Sequence, residues 1–144
     1  MRDTLDWKGV IPALTTCFKK DLSIDHKFIA KHVAWLVDNG CTGIVVGGSL
    51  GEGATLTLQE KLAIIDTAVK SVGSRVPIIS GVSSLSTQDA VEYAQAAAGK
   101  GCQGLMVLPP YVYRSDWREM KAHVTAVFEA TALSCMLYNN PVAY

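Results

Sequence analysis

The chain has 144 residues, 49% of them hydrophobic and 18% charged, a soluble globular composition that excludes an extended, solvated polypeptide. Lys+Arg and Asp+Glu each number 13, so a formal charge of zero gives no electrostatic reason to bind nucleic acid or an anionic membrane. Met1-Arg2-Asp3 lacks the apolar stretch of a signal peptide, and no apolar run approaches the roughly 18 residues of a membrane span, so a cytoplasmic location is expected.

Short apolar runs at residues 10–14, 43–46, 76–79, 104–108 and 134–138 read as strands. They lack period-2 alternation, as parallel strands buried on both faces do. A helical pattern follows each of the first four. The first helix covers residues 25–39, with Ile29, Val33, Leu36 and Val37 as its apolar stripe and Gly40 just past its end. The second opens on the capping box Thr57-x-x-Glu60, turns Leu58, Leu62, Ile65 and Val69 inward, and ends at Gly73. The third opens near Ser86, with Val91, Ala94 and Ala98 inward, and stops at Gly99 or Gly101. The fourth opens at Ser115, with Met120, Val124, Val127 and Phe128 inward.

Residues 40–46, Gly-Cys-Thr-Gly-Ile-Val-Val, echo residues 101–107, Gly-Cys-Gln-Gly-Leu-Met-Val. Both stretches leave a helix and open a strand. Repeated βα units of this kind predict a parallel α/β fold. A doubly wound sheet and a (β/α)8 barrel both satisfy the periodicity. No GxGxxG follows the first strand, which argues against a dinucleotide-binding domain.

Cys17, Cys41, Cys102 and Cys135 are widely spaced with no CxxC pair, and read as reduced thiols in or near the core. His26, His32 and His123 show no metal-ligand spacing and read as helix-surface residues, so no metal site is expected.

Three segments carry chemistry. Gly47-Gly48-Ser49-Leu50-Gly51-Glu52-Gly53 follows the second predicted strand. A glycine-rich turn there can aim backbone N–H groups at a carboxylate or phosphate, and Ser49 adds a hydroxyl; equally, it can be a tight connection without a ligand. Leu108-Pro109-Pro110-Tyr111-Val112-Tyr113 is a stiffened loop whose tyrosines can line a pocket or pack a subunit interface. Tyr138-Asn139-Asn140-Pro141 ends the fifth strand, where a phenol can pass protons or simply cap the core.

In this order and spacing the three segments resemble the dihydrodipicolinate synthase / N-acetylneuraminate lyase family. Its members carry a Gly-[Ser/Thr]-Thr-Gly-Glu turn, a Pro-Tyr-Tyr-like loop and a Tyr-Asn-x-Pro strand end. Here these read Gly48-Ser49-Leu50-Gly51-Glu52, Pro110-Tyr111-Val112 and Tyr138-Asn139-Asn140-Pro141. Residues 9–16 are similar to the family's first strand and residues 79–83 to its third.

The resemblance implies a (β/α)8 barrel, of which this chain supplies about the first five strands and four helices. A complete barrel needs about 250 residues, so residues 1–144 are expected to be the N-terminal part of a single barrel domain. It implies a lyase acting on pyruvate or another 2-oxo acid through a lysine Schiff base, with no cofactor and a homo-oligomeric assembly, dimer or tetramer. The family's lysine ends its sixth strand, beyond this chain; Lys61, Lys70, Lys100 and Lys121 all fall on or at the ends of predicted helices. Tyr138 would relay protons, Ser49 would hydrogen-bond Tyr138, and Gly48, Ser49 and Leu50 would hold the substrate carboxylate. Tyr111 would line the substrate site.

Three positions depart from the family pattern. Leu50 replaces a hydroxyl residue. Val112 falls where many members place a tyrosine that completes the relay across a subunit boundary. Ala143 falls where lysine-pathway synthases place an arginine for the aldehyde's carboxylate. The losses at Val112 and Ala143 favour sugar-acid, aromatic or hydroxyproline-type substrates, and Leu50 leaves carboxylate binding to backbone donors. The alternatives are a true dihydrodipicolinate synthase (4-hydroxy-tetrahydrodipicolinate synthase), a hydroxyproline-pathway pyrroline-carboxylate deaminase, and a non-enzymatic α/β module that binds an anion at the glycine turn.

Overall fold

A computed structural model describes residues 5–110 and 113–139. Tyr111, Val112, Asn140, Pro141 and Ala143, singled out above, lie outside the described residues. The elements run α1 His26–Asp38, β1 Ile44–Val46, α2 Leu58–Val72, β2 Ile78–Val82, α3 Thr87–Gly99, β3 Gly104–Val107, α4 Trp117–Glu129 and β4 Ser134–Leu137. The four strands form one parallel sheet in the order β1-β2-β3-β4.

The run at 10–14 is not a regular strand. It meets β1 through a single parallel bridge, Ala13 to Val45, with Val45 N–H donating to the Pro12 carbonyl and Leu14 N–H to the Val45 carbonyl. The next bridge along would require an N–H from residue 12, and Pro12 has none to give. The segment nevertheless lies beside β1 at the end of the sheet. That sequential order rules out the doubly wound alternative, in which the first strand sits in the middle.

Local signals set the helix ends. Asp25 accepts from the Phe28 N–H to cap α1, and Gly40 follows that helix at φ +93°. The Thr57–Glu60 capping box opens α2, and Gly73 ends it at φ +59°. Ser86 caps α3, and a second capping box, Asp116 with Glu119, opens α4 one residue later than expected.

The core lies between the sheet and the helices. Ile44, Val46, Ile78, Val82, Leu105 and Val107 point into it from the strands, and Ile29, Val33, Ile64, Ile65 and Val127 from the helices. The buried face of α3 is Ala90, Tyr93, Ala94 and Ala97, shifted from the expected Val91, Ala94 and Ala98. Alanines at 90, 94 and 97 let the helix approach closely, and the Tyr93 hydroxyl finds a partner in the sheet. β2 runs on through Ser80, Gly81 and Val82, where 76–79 was expected. Pro77 cannot donate at the start. Gly81, which resembles a turn residue, is required for a close approach described below.

All four cysteines are free, Cys102 buried and the others half-buried. The surface reading of the histidines fails for His123, which is only 4% exposed. Its Nδ1 lies 2.9 Å from Thr87 Oγ1, and it also bonds the Leu108 carbonyl, so it ties α4 to the start of α3 and to the loop after β3. His26 and His32 are half-buried, His26 with Nδ1 2.8 Å from Thr67 Oγ1.

Burial holds the His123 pKa below the ordinary histidine value, with the Leu108 hydrogen bond opposing. The folded state therefore resists protonation more than the unfolded chain does. That stability is complete above about pH 6.5 and is lost as pH falls from there through the folded pKa. In denaturant titrations between neutral and mildly acidic pH, His123→Gln should unfold with a smaller pH dependence than the parent chain. An unchanged slope would show that His123 does not titrate between the two states. Among the described residues, no helix is long and apolar enough to cross a membrane.

Candidate active site at the strand ends

Parallel strands place the segments that follow them on one side of the sheet. The turn after β1, the Leu108-Pro109-Pro110 segment after β3 and Tyr138 after β4 all lie at these C-terminal ends. The opposite end is covered by the N-terminal segment. Trp7 Nε1 donates to Ser134 Oγ at 2.9 Å, and a Cβ on Gly104 would come within 2.8 Å of Leu5.

The glycine turn folds on itself. Gly51 and Gly53 N–H groups both donate to the Gly48 carbonyl, at 3.0 and 3.1 Å, and Glu52 N–H donates to the Ser49 carbonyl. Glu52 has φ +54°, a left-handed conformation uncommon for a side-chain-bearing residue, and Thr55 Oγ1 donates to its carbonyl. Packing leaves the turn little room. A Cβ on Gly53 would lie 2.0 Å from the Gly47 oxygen, and one on Gly81 would lie 2.8 Å from the Gly48 Cα. Gly81 lets the turn settle directly on β2.

Thr16 anchors the turn from the preceding segment. It is buried, and its Oγ1 donates to the Gly51 carbonyl at 2.6 Å. Sequence reasoning missed this residue, although a hydroxyl just after an apolar run was the available signal. Ser80 and Tyr93 were missed as well. Both are buried, their oxygens are 2.5 Å apart, and they sit behind Gly47. No local pattern pairs a strand serine with a helix tyrosine thirteen residues on.

The expected site residues fall as follows. Gly48 is buried against the Met106 side chain, whose Cε would be 3.5 Å from a Cβ there. Ser49 and Leu50 are exposed at the tip of the turn, Leu50 by 67%. Among the described residues nothing accepts the N–H of Ser49 or Leu50, and the Ser49 hydroxyl has no partner. Two main-chain donors and one hydroxyl are thus presented together to solvent, a set suited to carboxylate oxygens. Tyr138 extends the ladder, its N–H donating to the Val107 carbonyl at 2.8 Å, and its side chain is 39% exposed. The expected Ser49–Tyr138 hydrogen bond is not formed. The two follow strands three ladder steps apart, each of about 4.8 Å, and only curvature of the sheet shortens that span.

No strand of the described chain ends in lysine. Lys61 has one property of an amine nucleophile. Burial pushes its ammonium pKa down, with Asp89 opposing. Its position is wrong for the strand-end site. It lies on α2 rather than at the end of a strand, its Nζ 5.3 Å from the centre of the Tyr93 ring, beside a cavity of about 230 Å3 lined by α2, α3 and the segments after β1 and β2.

Comparison with known proteins decides the family. The model of the dihydrodipicolinate synthetase family matches residues 6–143. The chain belongs to that family. Among similar proteins, 4-hydroxy-tetrahydrodipicolinate synthase of Mycolicibacterium gilvum is 39% identical over 132 residues, 92% of this chain and 44% of that protein. A protein of Pseudarthrobacter chlorophenolicus named probable 5-dehydro-4-deoxyglucarate dehydratase is 37% identical over 139 residues, 96% of this chain and 45% of that protein. The crystal structure of dihydrodipicolinate synthase from Bacillus anthracis superposes with a TM-score of 0.93 at 36% identity, covering 97% of this chain and 48% of that one. The fold is therefore that of the (β/α)8 barrel, represented by its first staves. The chain spans about half the length of the curated relatives it matches.

Proposed function

We propose that residues 1–144 are the N-terminal part of a single barrel domain, in a lyase that binds pyruvate or another 2-oxo acid as a Schiff base. The Ser49–Leu50 tip carries this reading, because its unpaired main-chain donors and hydroxyl open on the side of the sheet where Tyr138 emerges. In it, the substrate carboxylate takes the Ser49 and Leu50 N–H groups, Gly48 keeps the backbone close, and Ser49 orients the substrate. Tyr138 passes protons to and from the substrate carbonyl, and Tyr111 lines the pocket. The amine nucleophile is a lysine outside these residues. Loss of water from amine and ketone gives an iminium, an electron sink that acidifies the neighbouring carbon and needs no metal or diffusible cofactor. The enzyme works as a cytoplasmic homo-oligomer, a dimer or tetramer.

Val112 and Ala143 support a 2-oxo acid other than the lysine-pathway pair. A buried carboxylate is costly without a cation, and Ala143 offers none at the position where that contact is expected. The identity to a 4-hydroxy-tetrahydrodipicolinate synthase favours the second reading, a true synthase of that kind.

Borohydride treatment of the full-length protein with pyruvate should leave one reduced adduct detectable by mass, and none on residues 1–144 alone. Absence of an adduct on the full-length protein would overturn the Schiff-base reading. An adduct on the fragment would move the nucleophile to one of this chain's own lysines. Assayed with pyruvate and aspartate semialdehyde, the same preparation should turn over poorly; rates of ~1–1000 per second would restore the synthase reading.

A further inference from the structure

We infer that Ser80 and Tyr93 are a positioning pair for the substrate-binding turn, holding Gly47 and Gly48 from the helix side so that the Ser49 and Leu50 N–H groups point at the 2-oxo acid. This rests on the function proposed above.

The two hydroxyls are an unusual feature of an otherwise apolar layer. Ser80 is fully buried in the middle of β2, flanked by Ile78 and Val82 on the same face, and Tyr93 is 3% exposed on α3. A buried hydroxyl without a partner is destabilising, so each hydroxyl here needs the other. An alanine and a phenylalanine would fill the same space with no such requirement.

Their location supplies the reason. A Cβ on Gly47 would lie 3.8 Å from the Tyr93 oxygen and 3.9 Å from Ser80 Oγ, so the pair bounds the space beside Gly47 at about one methyl group's distance. Gly47 has φ +63°, and this turns the chain off β1 into the site. Gly81, one residue after Ser80, contacts Gly47 and Gly48 from the strand side, and Gly53 closes on the Gly47 carbonyl from the far side of the turn. The Gly47–Gly48 peptide is thus held on three sides. Two are main chain and cannot be adjusted without moving a strand or the turn. The third is set by the reach of the Tyr93 side chain, which its bond to Ser80 fixes.

Ser80→Ala, Tyr93→Phe and the double variant separate positioning from simple stability, read in the full-length protein. Each single change strands a hydroxyl, so both should lower unfolding stability, and the double variant should recover most of that loss. The 2-oxo acid KM should rise on the order of tenfold in all three, with kcat changed much less, because every variant loses the fixed boundary beside Gly47. If KM recovers along with stability in the double variant, the pair is only structural and the inference fails.

Amide hydrogen exchange gives a readout independent of catalysis. The Gly51 and Gly53 N–H groups, both held by the Gly48 carbonyl, should exchange faster in the double variant while β2 and α3 core amides keep the parent rates. If the parent protein takes no 2-oxo acid, the proposed function fails, and exchange at the turn still tests the pair. Unchanged exchange there would overturn the inference whatever the enzyme's substrate.

Discussion

Gly53→Ala should destabilise the protein by about 3 kcal/mol and abolish the pyruvate adduct, far more than any other single methyl group added to a glycine here. The new Cβ would lie 2.0 Å from the Gly47 oxygen and 2.7 Å from its carbonyl carbon. Both are main-chain atoms and cannot rotate away. Relief requires the Gly47–Gly48 peptide to move, and that peptide already contacts Gly81 at less than 3 Å from where a Cβ would be. The turn would have to open, releasing the Gly51 and Gly53 N–H groups from the Gly48 carbonyl. Gly99→Ala is the matched control. It lies at the end of α3 with nothing within 4 Å of a Cβ, and its φ is not in the left-handed range. Alanine there should be neutral or stabilising by up to about 1 kcal/mol, from helix propensity alone. Denaturant unfolding of both variants checks the contrast. A Gly53→Ala protein within about 0.5 kcal/mol of the parent would mean that the turn is not packed as described.

The elements that were legible in advance are those whose ends are written locally. Thr57 with Glu60, and Gly40 and Gly73 at positive φ, announce helix boundaries without reference to the rest of the fold. The continuous apolar runs marked parallel strands, and β1 and β2 are buried at every residue, whereas β4 is partly exposed. What escaped depends on contacts across the chain. The stripe of α3 was misphased because Val91 is more hydrophobic than Tyr93, yet the tyrosine has a hydroxyl partner in β2 and turns inward. Gly81 resembled the end of a strand, although its role is to accept the backbone of a turn 33 residues earlier. His123 read as a surface residue because burial of an imidazole depends on two tertiary partners, Thr87 and the Leu108 carbonyl. The glycine turn itself stood out, whereas its supports, Thr16, Ser80 and Tyr93, did not. Residues that present donors have a recognisable pattern, and residues that hold the presenters in place have only a location.

Tyr138→Phe should reduce kcat of the full-length enzyme by about 10²- to 10³-fold while leaving KM for the 2-oxo acid within a few-fold. The substitution removes one oxygen and keeps the ring, so it deletes a proton donor and acceptor without a change of shape. Stability should hardly respond. The side chain is 39% exposed, and the backbone contribution of this residue, its N–H bond to the Val107 carbonyl, survives in phenylalanine. A loss confined to kcat is the signature of a group that acts in the transition state rather than in binding. In the proposed mechanism protons must move twice, once as the carbinolamine loses water and once as the neighbouring carbon is attacked or cleaved. Both steps need a group that can donate and accept at the same location, which a phenol does and a serine or amide N–H at the Ser49 tip does less well. Borohydride trapping separates the two. If Tyr138 serves imine formation, Tyr138→Phe should slow adduct formation in parallel with kcat. If it serves only the carbon–carbon or dehydration step, the adduct should form at the parent rate while turnover falls. A variant that keeps kcat within threefold would remove Tyr138 from the proton relay altogether and leave it as a cap on the end of β4.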